Sequence, residues 1–249
     1  MFAPALLARL RAAVADFSLL LTKGYANKSA LKLVGDRFSL TQRQRLAVMR
    51  SSCSDQQQQA RLARRVPVEA LASQALAIDG YNLLITIEAA LSGGLIFRGR
   101  DGCFRDLASI HGTYRKVEET VPAVQLIGEF LKEIRIASAL WLLDSPVSNS
   151  GRLKTLIGQL AQESNWPWEI RLTISPDAEL SSPLTVPSSQ SPANCQLATV
   201  NRQLTAVVVS TDSVVLDACA RWTNLAAEII TRRLPSTTVL DLSVSSGRL

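Results

Sequence analysis

The pattern that most restricts the fold of this chain is a series of short apolar runs with helical stretches between them. Gln74–Asp79, Ala137–Asp144 and Thr205–Asp212 are apolar almost throughout, and each ends in aspartate. Trp168–Ile174 alternates in polarity, and Thr237–Ser243 is a fifth short run. Between them, Leu84, Ile87 and Leu91 share one helical face. A polar loop after Asp144 opens a second helix, and Ser213–Leu234 reads as a third. Buried strands alternating with helices predict a parallel sheet covered on both faces. The expected class is therefore α/β, a Rossmann-like three-layer sandwich with a mainly parallel five-stranded sheet. Residues 176–201, with four prolines and several serines, are expected to form a long mobile loop.

The segment before the first strand is different. Leu6, Leu10, Val14, Phe17 and Leu21 recur at helical spacing, and Gly24 stands where that helix should stop. "TQRQ" (Thr41–Gln44) is a capping box that starts another helix. Pro67 marks a boundary, giving a helical domain over 1–66 and an α/β domain over 67–249. Charge divides the same way. Residues 1–66 carry 12 Lys/Arg against 3 Asp/Glu, a surplus of +9, whereas 67–249 carry 15 against 18, a balance of −3. Such segregation suggests a polyanion-binding module, with Lys23, Lys28, Lys32, Arg43, Arg45 and Arg50 as candidate contacts. The competing reading is a solvated helical surface.

Several chemistries are excluded. The four cysteines lie far apart, so no local zinc ribbon or C-x-x-C redox motif is present. With one histidine, His111, multi-histidine metal sites are ruled out. P-loop, dinucleotide-binding and nucleophile-elbow motifs are missing. The longest apolar stretches fall far short of the roughly 20 residues that span a bilayer. A cytoplasmic protein without a membrane partner is expected, and a homo-oligomer stays open.

Asp79, Asp144 and Asp212 each close a strand. In a doubly wound sheet, the carboxyl ends of the strands share one edge, and ligands bind there. One strand-end aspartate is ordinarily a capping residue. Three at equivalent positions suggest a cluster. Carboxylates about 5 Å apart would repel by roughly 3 kcal/mol per pair at an effective dielectric of 20. An oxygen-seeking divalent cation, Mg²⁺ or Mn²⁺, would relieve that repulsion.

At these residues the chain resembles a known superfamily. "IDGYN" (Ile78–Asn82) resembles the opening D-x-x-N motif of PIN and NYN-type nucleases, and "STD" (Ser210–Asp212) is similar to their late S/T-x-D motif. The larger pattern resembles an uncharacterised family in which a basic helical domain precedes a PIN-like domain. Residues 23–50, 98–116, 142–151 and 209–217 carry that likeness. The resemblance implies a metal-dependent phosphodiesterase acting on RNA, with DNA an open alternative. It places Asp79, Asp144 and Asp212 on the metal and has Asn82 orient Asp79 or a metal-bound water. The superfamily also uses an acid from a helix, for which Glu88, Asp101, Asp106 and Asp217 are candidates, although Asp101-Gly102 reads as a turn. Arg105 is a candidate phosphate contact and His111 a proton carrier. Ser148, Asn149 and Ser150 offer hydroxyls and N–H groups at a helix start. Trp166 and Trp168 either stack a base or pack the core. A non-catalytic RNA-binding or scaffolding protein on a degenerate PIN-like fold is the alternative.

Overall fold

The computed structural model describes residues 4–107, 118–182, 185–187 and 203–243. Four helices open the chain: α1 (Pro4–Thr22), α2 (Asn27–Arg37), α3 (Gln42–Ser51) and α4 (Asp55–Arg64). α1 stops where Gly24 takes φ +83, a left-handed turn that glycine enters without strain. The box at Thr41 and Gln44 starts α3, and a second at Ser54 and Gln57 starts α4. Leu10, Val14 and Phe17 of α1 bury against Ala30 and Val34 of α2 and Ala47 and Val48 of α3.

The chain continues through β1 (Ala75–Asp79), α5 (Gly80–Leu91), β2 (Ile96–Arg98) and β3 (Phe104–Arg105). Next come α6 (Thr120–Glu133), β4 (Ser138–Asp144), α7 (Ser150–Glu163), β5 (Trp168–Thr173) and α8 (Pro176–Leu180). It ends with β6 (Thr185–Pro187), β7 (Gln203–Thr205), β8 (Val207–Val209), α9 (Ser213–Ala218), β9 (Trp222–Thr223), α10 (Leu225–Arg233) and β10 (Val239–Asp241). The main sheet has five strands in the order β5-β4-β1-β8-β9, and every pairing is parallel. Side chains alternate across it as a pleated strand requires. Leu76, Ile78, Trp141, Leu143, Val207 and Val209 face one core with α5, α6, α7 and α10. Ala75, Ala77, Leu140, Leu142 and Val208 face the other, under α8 and α9. From β1 the chain steps outward through β4 to β5, then returns to β8 on the opposite side. The switch point therefore lies between β1 and β8, where this topology opens a crevice.

Three expectations change. Residues 213–234 are not one helix: α9 ends at Ala218, and Trp222–Thr223 then forms the fifth strand of the sheet. Arg64 stops the helix by donating to the carbonyls of Leu216, Asp217 and Cys219. The run at Thr237–Ser243 instead supplies β10, which pairs with β2 in a separate three-stranded sheet. Its neighbours Phe97 and Leu242 bury in the α1–α3 core, so the helical segment and the α/β segment share apolar contacts. Within the expected loop, Pro176–Leu180 is a helix with Pro176 and Leu180 buried. Residues 188–202 lie outside the described residues.

Candidate active site at the strand ends

Asp79 closes β1 and is 5% exposed. It occupies the N-cap position of α5, yet its side chain makes no capping bond. Its Oδ2 accepts a 2.8 Å hydrogen bond from Ser210 Oγ, just beyond β8. Ser210 Oγ in turn accepts from the Asp212 backbone N–H at 3.0 Å. Asn82, in the first turn of α5, accepts through Oδ1 from Thr211 N–H at 2.9 Å and Thr211 Oγ1 at 3.0 Å. The D-x-x-N and S-T-D segments are thus tied across the switch point. The glycine between Asp79 and Asn82 is a packing requirement: a Cβ on Gly80 would lie 2.5 Å from Leu143 Cδ2 and 2.9 Å from the Leu142 carbonyl oxygen.

Asp212 caps α9, its Oδ1 accepting from Val214 N–H and Val215 N–H. Asp144 closes β4 and is half-buried. The structure adds a fourth acid that sequence reasoning missed: Asp177, in the first turn of α8 beyond the end of β5. Ser-Pro-Asp at 175–177 is a helix-start signature, and it follows an expected strand as the other three acids do. The proline-rich composition downstream hid it. Asp79, Asn82, Asp144, Asp177, Thr211 and Asp212 line one cleft of about 390 Å³, together with Arg50, Arg105 and Asp106.

Electrostatics mark this cleft. Burial pushes the Asp79 carboxyl up to about 7, helped by the charges of Asp177 and Asp212, while the Ser210 hydrogen bond opposes the rise. Burial also raises Asp144. Asp177 is raised by burial and by repulsion from Asp212 and Asp144. None of the ion pairs among the described residues involves any of these four carboxylates. The donor set is all oxygen and suits Mg²⁺ or Mn²⁺ in chemistry. In distance the fit is incomplete. Among the described residues, no three His, Cys, Asp or Glu side chains are gathered closely enough to hold one metal ion.

The other candidates fall in different places. Asp106 reaches the cleft, accepting from Thr86 Oγ1 at 3.0 Å, and Arg50 donates to its backbone carbonyl at 2.8 Å. Glu88 is buried but away from the cleft lining, accepting from Thr120 Oγ1 at 2.7 Å. It lies nine residues past Asp79, about 13 Å along a helix axis. Asp217 accepts instead from Gln57 and Arg61. Arg105 lines the cleft, but its guanidinium is occupied by both oxygens of Asp101 and the Thr211 carbonyl. His111 lies outside the described residues. Ser148 and Asn149 are exposed and Ser150 Oγ donates to the Ser145 carbonyl; none of the three lines the cleft. Trp166 and Trp168 stack on each other at 4.6 Å, and Trp168 meets Trp141 at 5.0 Å, so they pack the core.

The basic surplus divides too. Lys23, Lys28, Lys32 and Arg43 are exposed, with Lys32 and Arg45 paired to Asp36. Among the six candidate polyanion contacts, Arg50 alone lines the cleft. Arg61, Arg64 and Arg65 are spent within the chain. Arg61 is 1% exposed and pairs with Asp101 at 2.6 Å and Asp217 at 2.7 Å. Arg65 pairs with Glu228 and lies over the Trp222 ring. Part of the charge segregation is therefore a seam that joins the two segments.

Fold and cleft together define a parallel α/β protein with an acidic strand-end cleft, joined to a basic helical segment that supplies one wall residue. The chain belongs to the family described as Domain of unknown function (DUF5616), whose model matches residues 68–228. A second model, Protein of unknown function (DUF434), matches residues 9–64. The chain is 29% identical over 176 residues to Uncharacterized protein MJ0935 of Methanocaldococcus jannaschii, covering 71% of this chain and 84% of that one. No solved structure matches it. No helix among the described residues is long and apolar enough to cross a membrane.

Proposed function

We propose that this protein is a metal-dependent phosphodiesterase of PIN-like type, acting on RNA. The observation that carries this reading is the set of four carboxylates at one sheet edge, with no ion-pair partner among the described residues. Like charges near one another without a direct ion-pair partner are costly, and burial has already pushed Asp79 toward its neutral form. In that cleft a divalent cation would supply a countercharge, and the chemistry it would bring is acidification of a water for attack on phosphorus. Asp79, Asp144 and Asp212 are the ligands this reading assigns, and Asp177 lines the same cleft; their carboxylates would have to draw together on binding, since no three acids among the described residues are gathered closely enough as they stand. Asn82 fixes the loop that carries Asp212 through its two bonds to Thr211. Arg50, on the cleft wall, would bind a phosphate of the substrate.

Labelled RNA and DNA incubated with the full chain in Mn²⁺ or EDTA, beside Asp79→Asn and Asp212→Asn, test this. Cleavage that needs Mn²⁺ and is lost in both variants is expected. Equal cleavage by the variants would sink the site assignment. The second reading, a non-catalytic RNA-binding or scaffolding protein, draws on the arginines spent between the two segments. It predicts salt-sensitive RNA binding with no turnover and no metal dependence.

A further inference from the structure

Asp212 sits in a turn whose flanking carbonyls are both held by buried guanidinium groups. Arg105 Nε donates to the Thr211 carbonyl at 2.8 Å. Arg61 Nη2 donates to the Ser213 carbonyl at 3.3 Å. The two arginines share one acid: Asp101 Oδ2 accepts from Arg61 Nη1 at 2.6 Å and from Arg105 Nη2 at 2.7 Å. Asp101 Oδ1 takes Arg105 Nη1 at 2.9 Å and the Cys103 N–H at 3.1 Å. Arg61 Nε goes to Asp217, further along the helix that Asp212 caps. All three members of the node are buried, and the two guanidinium groups hold the Asp101 carboxyl well below the usual carboxylate range.

We infer that Arg61, a residue of the helical segment, positions Asp212, so that the two segments form one functional unit. The inference rests on the reading of the cleft as a metal site. Burying two guanidinium groups and a carboxylate is a poor way to gain stability alone, because apolar side chains of similar size would fasten α4 to α9 at least as well. An apolar side chain cannot donate to a backbone carbonyl. Here two such bonds bracket the residue whose own Oδ1 is already fixed by Val214 N–H and Val215 N–H. Arg61 lies in the segment matched by the DUF434 model, and its partners lie in the segment matched by DUF5616. The network therefore crosses the junction between the two and ends at the cleft.

The test uses the full chain with Arg61→Lys, which keeps the charge but loses the fork, and with Asp217→Ala, which removes the acceptor of Arg61 Nε at an exposed position. Hydrogen exchange is read at the amides of Val214 and Val215 in metal-free protein, with Val124 and Ile127 of α6 as the reference. Exchange at Val214 and Val215 should rise about tenfold in Arg61→Lys, and less in Asp217→Ala, with α6 unchanged. Mn²⁺ affinity should weaken about tenfold in Arg61→Lys. Unchanged protection at Val214 and Val215, a uniform rise that includes α6, or raised exchange with unchanged Mn²⁺ affinity would each overturn the inference. If Arg61→Lys does not fold, Asp217→Ala decides by the same amides. A wild-type chain that binds no Mn²⁺ removes the proposed function instead, and the exchange result then still reports whether Arg61 holds the turn.

Discussion

Ser210 Oγ donates to Asp79 Oδ2 at 2.8 Å, and this bond joins the ends of β1 and β8 at the switch point of the sheet. The same oxygen accepts the Asp212 N–H. One hydroxyl therefore fixes both acids that flank the crevice. Its proton points at Asp79, which favours the ionised carboxylate against the larger effect of burial.

Stability should fall as pH rises through the range in which Asp79 titrates. Its carboxyl is raised from 3.8 to about 7 in the folded chain. Between those values the native state holds a proton that the unfolded state has released, so each pH step upward favours unfolding. The gap corresponds to up to about 4 kcal/mol, at about 1.4 kcal/mol per unit. Urea unfolding at pH 5 and pH 8 should show wild type losing stability across the window, and Asp79→Asn losing much less. Mn²⁺ at pH 8 should restore part of the loss. An equal pH slope in both proteins would count against the burial argument.

Asp177 and Glu88 separate by chemistry. Asp177→Asn should lower RNA cleavage or Mn²⁺ affinity about 10- to 100-fold, because it removes one of the repelling charges a cation would neutralise. Glu88→Gln should leave both within about twofold, since the amide still accepts from Thr120 Oγ1 and lies off the cleft. Titrating Mn²⁺ into each variant checks both.

The sheet and three of its acids were legible because short, continuously apolar runs closed by aspartate are local signals. Asp79, Asp144 and Asp212 were placed on one edge by topology alone, which the parallel order confirms. Other features depend on contacts distant in sequence. Arg64, more than 150 residues upstream, ends α9 and so makes room for β9. Asp101 reads as a turn beside Gly102, and it is one, with Gly102 at φ +78. Its burial between Arg61 and Arg105 has no sequence signature. The basic surplus was visible as a sum, but only pairing geometry assigns Arg50 to the cleft and Arg61 to the seam.

Arg50 is the residue of the helical segment expected to affect substrate directly. Arg50→Gln should weaken RNA binding by a few-fold and reduce the slope of log affinity against log salt by about one, as loss of one phosphate contact requires. Arg45→Gln should leave that slope unchanged, because Arg45 lies off the cleft, bound to Asp36 and the Leu40 carbonyl, whereas Arg50 lines the cleft beside its ion-pair partner Asp106. Fluorescence anisotropy across a salt series checks both. An identical slope in wild type and Arg50→Gln would remove Arg50 from the interface.

Gly80→Ala tests whether the close approach of α5 to β4 sets the position of Asp79. The added methyl would meet Leu143 Cδ2 and the Leu142 carbonyl oxygen, and a backbone oxygen cannot rotate away. The helix start must shift, with Asp79 and Asn82 on either side of it. Overpacking of this kind costs about 1–3 kcal/mol, read as a lower urea midpoint at unchanged m-value. Cleavage should fall by more than this stability loss explains, even where the protein is fully folded, because the Ser210–Asp79 and Thr211–Asn82 bonds both depend on that helix start. Full activity in folded Gly80→Ala would show that the cleft tolerates the shift and that Asp79 is not geometrically constrained.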